Sequence, residues 1–190
     1  MAFNLLQELH QWDDQPGHPY IAALQGAIGL GGWEKWAQTD FTLFCMHNHP
    51  AMNGQFILED HVYEDEQLRD DITIFGQSIN ELKTRSRSGE TFPMFVNRFH
   101  QDYLKLRGGD PKKKKNPRDG KLFGNSCKVP YQTWSRWAIG LATYESIRFT
   151  DGNNTWTRAQ VELYVEQEAS KQNLDQIWAG DIVILWKLIV

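Results

Sequence analysis

Apolar positions change spacing several times along the chain, and each change marks an expected element. Leu5, Leu6, Leu9 and Trp12 recur at helical intervals behind Asn4, a competent helix cap, and the run from Asp13 to Gly17 stops that helix. A second helix is expected from Tyr20 to Leu30, with Ile21, Leu24 and Ile28 in register and a glycine-rich end at Gly29 to Gly32, so that the two pair as a hairpin. From Asp40 the pattern turns β-branched, aromatic and alternating. Phe41 to Met46 and Gln55 to Leu58 then read as two short strands.

Leu68, Ile72, Phe75, Ile79 and Leu82 step by 4, 3, 4 and 3, which predicts a helix with one apolar stripe. Thr91 opens another, with Pro93 in its first turn and Phe92, Phe95, Val96, Phe99 and Leu106 down one side, closed by Gly108-Gly109. Pro130 starts a helix carrying Trp134, Trp137, Ala138, Leu141 and Tyr144. Thr157 to Gln160 forms a capping box ahead of Val161, Tyr164 and Val165. An apolar strand from about Ile177, with a turn at Gly180-Asp181, ends the chain. The expected fold class is α+β: a predominantly helical single domain over 1–190, with a small sheet built from the Phe41, Phe56 and C-terminal strands.

With 190 residues, 41% apolar and 23% charged, the chain is long enough for a real core, and eight Trp with ten Phe make that core or a binding face unusually aromatic. Cys45 and Cys127 lie far apart without CxxC spacing, which fits a reducing cytoplasm. The opening Met-Ala-Phe-Asn lacks a basic n-region and an apolar stretch, so neither a signal nor a membrane partner is expected.

Charge changes the picture most. Lys105 to Lys128 holds nine Lys/Arg against two Asp, a surplus of +7 in a chain whose other residues carry −11 and whose total is −4. An exposed basic loop at 107–122 follows from its Gly, Pro and Lys content. Lys112, Lys113, Lys114, Lys115, Arg118 and Lys121 are positioned to meet phosphates, and Tyr131 and Trp134 just beyond can stack on bases. These residues point to RNA or DNA as partner, with other protein subunits, for a non-catalytic accessory or assembly subunit of a ribonucleoprotein or mobile-element complex. A protein-interaction module built on exposed Trp is an alternative.

Cys45, His47 and His49 occupy alternate positions at the end of the Phe41 strand, and on one strand face they supply three possible zinc ligands, with Asp60, His61 or Cys127 as a fourth. A strand running into His47-Asn48-His49-Pro50, with Asp60 thirteen residues after His47, resembles the JAMM metalloprotease motif and the His-Asn-His-Pro of RadC-type proteins. That resemblance implies a zinc-dependent hydrolase with His47, His49 and Asp60 as ligands around an activated water and Glu8 as the earlier catalytic Glu. Ile57 stands where the family has Ser.

Nucleotide-binding glycine loops and the GxSxG elbow are absent. The acidic run from Glu59 to Glu66, with Asp70-Asp71, could hold Mg²⁺ for phosphodiester chemistry with the basic loop as substrate grip, or serve as a solvated helix N-terminus. Glu166 to Lys171 is similar to nuclease Glu-x-Lys patterns but has other spacing.

Overall fold

A computed structural model describes residues 3–14, 33–63, 69–85, 89–107 and 127–189. In chain order these form α1 (Leu5–Asp13), α2 (Glu34–Asn48), β1 (Phe56–Leu58), β2 (Ile72–Ile74), β3 (Ser78–Thr84), α3 (Phe92–Arg107), β4 (Ser135–Thr143), α4 (Tyr144–Thr150), α5 (Arg158–Lys171), β5 (Asp175–Ala179) and β6 (Ile182–Ile189). The strands make one six-stranded mixed sheet in the order β1-β2-β3-β4-β6-β5. Only the β3–β4 pair is parallel, and α3 provides the crossover such a pair requires.

Alternation in the central strands sends side chains into two cores. Ile139 and Leu141 of β4, with Ile182 and Ile184 of β6, face α1 and α2 and meet Leu9, Trp12, Ala37 and Phe41. Ala138, Ala142, Val183 and Leu185 face the other way, toward α3, α4 and α5. The β4 face under α3 is made of small residues, which lets Phe95 and Phe99 lie against the sheet. A Cβ placed on Gly140 would stand 3.1 Å from Phe99 and 3.2 Å from Phe95. Gly140→Val is therefore expected to destabilise by about 1–3 kcal/mol through overpacking, read as a lowered thermal midpoint; an unchanged midpoint would show that α3 yields without cost.

The sheet corrects the expected fold class. The fold is mixed α/β, with five helices among the described residues and a sheet of six strands, rather than predominantly helical with a small sheet. The segment expected to be helical through Ile72, Ile79 and Leu82 is the β2–β3 hairpin. Its turn is Phe75-Gly76-Gln77, with Gly76 at φ +76°, where the Gln77 N–H donates to the Ile74 carbonyl. The expected helix after Pro130 is β4, because a strand buried on both faces reads as a continuous apolar run that periodicity does not distinguish from a helix.

The expected strand from Phe41 to Met46 lies inside α2. There Ala37, Phe41 and Cys45 fall four apart on one buried stripe. By contrast, Asn4 caps α1, Thr157 and Gln160 form the capping box of α5, and Gly180-Asp181 turns β5 into β6, as expected. The expected Tyr20–Leu30 helix and the loop cations Lys112, Lys113, Lys114, Lys115, Arg118 and Lys121 lie outside the described residues.

Candidate functional site

β2 begins at Ile72, opposite Asn80, while β3 runs on to Thr84. Beyond Asn80 the β2-side edge of β3 therefore presents N–H groups that no strand accepts, and acidic side chains take them. Leu82 N–H donates to Asp71 Oδ2 at 2.7 Å, and Thr84 N–H donates to Glu34 Oε2 at 3.3 Å. Glu34 reaches this edge because it opens α2, whose preceding Trp33 is pinned by its indole N–H to the Arg85 carbonyl at 3.2 Å.

Lys83 lies between these two positions on β3. Its ammonium donates to Glu34 Oε1 at 3.1 Å and stands 3.6 Å from Asp102 of α3. Two residues earlier, and so on the same side of the strand, Glu81 accepts a hydrogen bond from the Tyr63 hydroxyl at 2.7 Å. Strand β3, the segment before β2, and the helices on both faces thus bring Glu34, Asp102 and Asp71 to the Lys83 ammonium, with Glu81 beside Asp71 and Asp102.

That balance leaves the site short of positive charge. Burial holds the Asp71 and Glu81 carboxyls above the usual range, and the neighbouring carboxylates push them further the same way: Glu34 and Asp102 on Asp71, and Asp71 and Asp102 on Glu81. Burial alone would lower Lys83, but Glu34, Asp102 and Asp71 outweigh it and the ammonium is held on. Burial likewise raises the neighbouring Asp70 carboxyl to about 7, although Thr73 Oγ1 and the Asp60 N–H both donate to it.

A carboxyl near 7 in the fold and near about 4 in the unfolded chain takes up a proton on folding between those values. Stability then falls as pH rises through that window. Asp71 and Glu81 pull in the same sense. The thermal midpoint of metal-free protein is expected to rise as pH drops from about 8 to about 5, and Asp70→Asn to flatten that rise; a midpoint that falls on acidification would contradict it.

The expected zinc residues are placed apart. Cys45 is fully buried, and His47, two residues on in the same helix, is exposed, so the shared strand face does not exist. His49 ends α2 with Nε2 3.0 Å from Glu8 and its ring edge against Phe3, whereas Asp60 accepts from the His61 N–H at 2.8 Å and from the Tyr131 hydroxyl at 3.3 Å. Among the described residues, no three His, Cys, Asp or Glu side chains stand close enough to enclose an ion as placed. Both cysteines are buried, and burial raises Cys45 well above the usual thiol range, with Glu8 adding to it.

Tyr131 and Trp134, expected at the nucleic-acid face, do come together, their rings edge to face at 4.7 Å. Trp134 also meets Phe75 at 5.3 Å. Comparison with protein-family models, curated proteins and solved structures found no match. No helix among the described residues is long and apolar enough to cross a membrane.

Asp71 was in view in the sequence as half of an acidic pair. Glu81-Leu82-Lys83 was not, because the helix expected there leaves Glu81 and Lys83 as ordinary surface charges. A strand assignment would have put both on one face, ten residues beyond Asp71 and across a glycine turn.

Proposed function

We propose that this protein hydrolyses phosphodiester bonds in nucleic acid with the help of a divalent cation. Asp71 and Glu81 hold the ion and Lys83 meets the phosphate. The observation that carries the reading is the charge of the site: Glu34, Asp71 and Asp102 about one ammonium with Glu81 beside them, and Asp71 and Glu81 held above their usual range. A hard cation relieves that repulsion. Mg²⁺ in particular keeps several waters and takes only one or two carboxylates, the substrate phosphate completing its shell. A closed three-ligand cage is not needed for such an ion.

An ion held by Asp71 and Glu81 would supply Lewis acidity to the phosphoryl oxygen and to a bound water; in the reaction water attacks phosphorus as the bridging P–O bond to the leaving oxygen breaks. The leaving oxygen takes up a proton, giving a phosphomonoester and an alcohol. Lys83, paired with Glu34 and Asp102 in the free protein, offers its ammonium to the charge that gathers on the phosphoryl oxygens.

The basic segment supplies phosphate contacts, as its composition suggests, and the described residues on either side of it are linked to the site. α3, which ends at Arg107, carries Asp102. Cys127 pairs with Tyr63, whose hydroxyl holds Glu81. A cytoplasmic location belongs to the same reading and suits cysteines that form no disulfide.

The test is cleavage of labelled RNA and DNA, single-stranded and duplex, in Mg²⁺ and in EDTA. Mg²⁺-dependent cleavage that Glu81→Gln removes without loss of binding supports the proposal. Salt-sensitive binding without cleavage would return the protein to the role of an accessory nucleic-acid subunit, and loss of both would leave a protein-interaction module, with the carboxylates as a structural ion-pair network.

A further inference from the structure

The sheet face that bears Glu81 and Lys83 carries a second feature that the proposed chemistry does not use. At the tip of the β2–β3 hairpin, Phe75 is 55% exposed, although its own N–H is fixed by the Gln55 carbonyl at 2.8 Å. A Cβ on the adjacent Gly76 would find nothing within 4 Å, so the space beside Phe75 at that position is open. Phe75 stands edge to face with Trp134, and Trp134 with Tyr131, whose hydroxyl is tied to Asp60. Edge-to-face contacts use ring edges and leave a flat face available on the outermost ring.

The orientation of these rings relative to the candidate site follows from the alternation of the strands. Ile79, in phase with Glu81 and Lys83, belongs to the core under α3, and Trp134 and Tyr131 pack against that same core. Phe75 lies four residues along the chain from Asp71, about 13 Å at strand rise, the length of a few nucleotides in a stacked strand. Between them, Arg136 of β4 sits opposite Ile79 on this face, anchored at 3.2 Å by the Leu106 carbonyl. The rings and the Lys83 ammonium thus lie at opposite ends of β3, and because α3 covers the sheet between them at Ile79, a strand that meets both passes outside that core.

We infer that Phe75, with Trp134 and Tyr131 behind it, is a stacking subsite for unpaired nucleobases, so that the strand whose phosphate reaches Lys83 is single-stranded or splayed at that point. The inference deepens the proposed hydrolase and rests on that reading for the phosphate end. A paired duplex cannot use it, since its base faces are already stacked on one another. Any base can, because every base has a π face, so the subsite selects strandedness and not sequence.

The test uses fluorescence anisotropy in Ca²⁺ at fixed salt with three probes: a labelled oligothymidylate of about twelve nucleotides, within the usual span of single-strand sites, an abasic strand of equal length, and a duplex of equal length. Phe75→Ala is expected to weaken oligothymidylate binding about tenfold, leave the abasic strand and the duplex within about twofold, and be rescued by Phe75→Trp. Since Phe75 is largely exposed, the variant folds, which a melt of each protein checks. An equal loss on all three probes, or no loss on the oligothymidylate, overturns the subsite. Mg²⁺-dependent cleavage by the parent protein is scored separately. Cleavage with no Phe75 effect discards the subsite and keeps the hydrolase, whereas a selective Phe75 effect without cleavage discards the hydrolase and keeps the subsite.

Discussion

Asp71→Asn and Glu81→Gln are each expected to cut Mg²⁺-dependent cleavage by about 10³-fold or more while raising the melting temperature of the metal-free protein. The two effects share one cause. Asn at 71 still offers an oxygen to the Leu82 N–H, and Gln at 81 still offers one to the Tyr63 hydroxyl, so the hydrogen bonds that shape the site persist. What disappears is charge. Both carboxyls are held above their ordinary range by burial and then by neighbouring carboxylates, which means that ionising them costs the folded state free energy. Relief of that cost is worth on the order of 1–3 kcal/mol for each substitution near neutral pH, or several degrees in a melt. Melts with and without Mg²⁺ beside cleavage rates decide the matter: the parent should gain stability from Mg²⁺ and the variants should not. If the variants melt lower than the parent, the carboxylates are structural ion pairs and the site reading is wrong.

The second large effect is expected at Asp151→Ala, far from the chemistry. Arg85, the residue after β3, is 1% exposed at its side chain and pairs at 3.0 Å with Asp151, itself 4% exposed. The same carboxylate accepts the Phe92 N–H that opens α3 at 2.9 Å and the Tyr164 hydroxyl of α5 at 3.0 Å. Removing it strands a buried guanidinium and an uncapped helix start together, and a loss of about 3–5 kcal/mol is expected. A urea melt measures it. Asp151→Asn retains the acceptor and should lose less. A loss below about 1 kcal/mol in the Ala variant would mean that water reaches Arg85. Because α3 carries Asp102 to Lys83, any surviving Asp151→Ala protein should also bind Mg²⁺ more weakly.

Much of the fold could be read where local chemistry and tertiary setting agree. The Asn4 cap, the Thr157–Gln160 box and the glycine turn at 180 each state their element without reference to a neighbour. The misreadings all concern segments with apolar residues on more than one side. Trp137, Ala138, Ile139 and Leu141 fit a helix and a doubly buried strand alike, and only the presence of two helical layers decides. Phe41 to Met46 alternates like a strand, yet Phe41 and Cys45 are buried as helix neighbours. The candidate site was hidden by the same ambiguity, since Glu81 and Lys83 share a side only once β3 is a strand. The aromatic pair Tyr131 and Trp134 is visible in the sequence, while Phe75 fits a helix stripe by spacing and is instead the exposed tip of a turn.

The parallel pairing of β3 with β4 divides labour along the chain. Glu34, Asp71, Glu81, Lys83 and Asp102 all precede residue 108, so the first part of the sequence holds the ion-binding carboxylates and the lysine of the proposed chemistry. The strand that holds β3 in place, and the β6 strand on its far side, both come from beyond residue 126. Neither part buries a complete sheet face by itself. Catalytic inventory and architectural support are thus written in separate stretches of one polypeptide, and a chain ending at Arg107 would possess the reagents of the reaction without the frame that makes them a site.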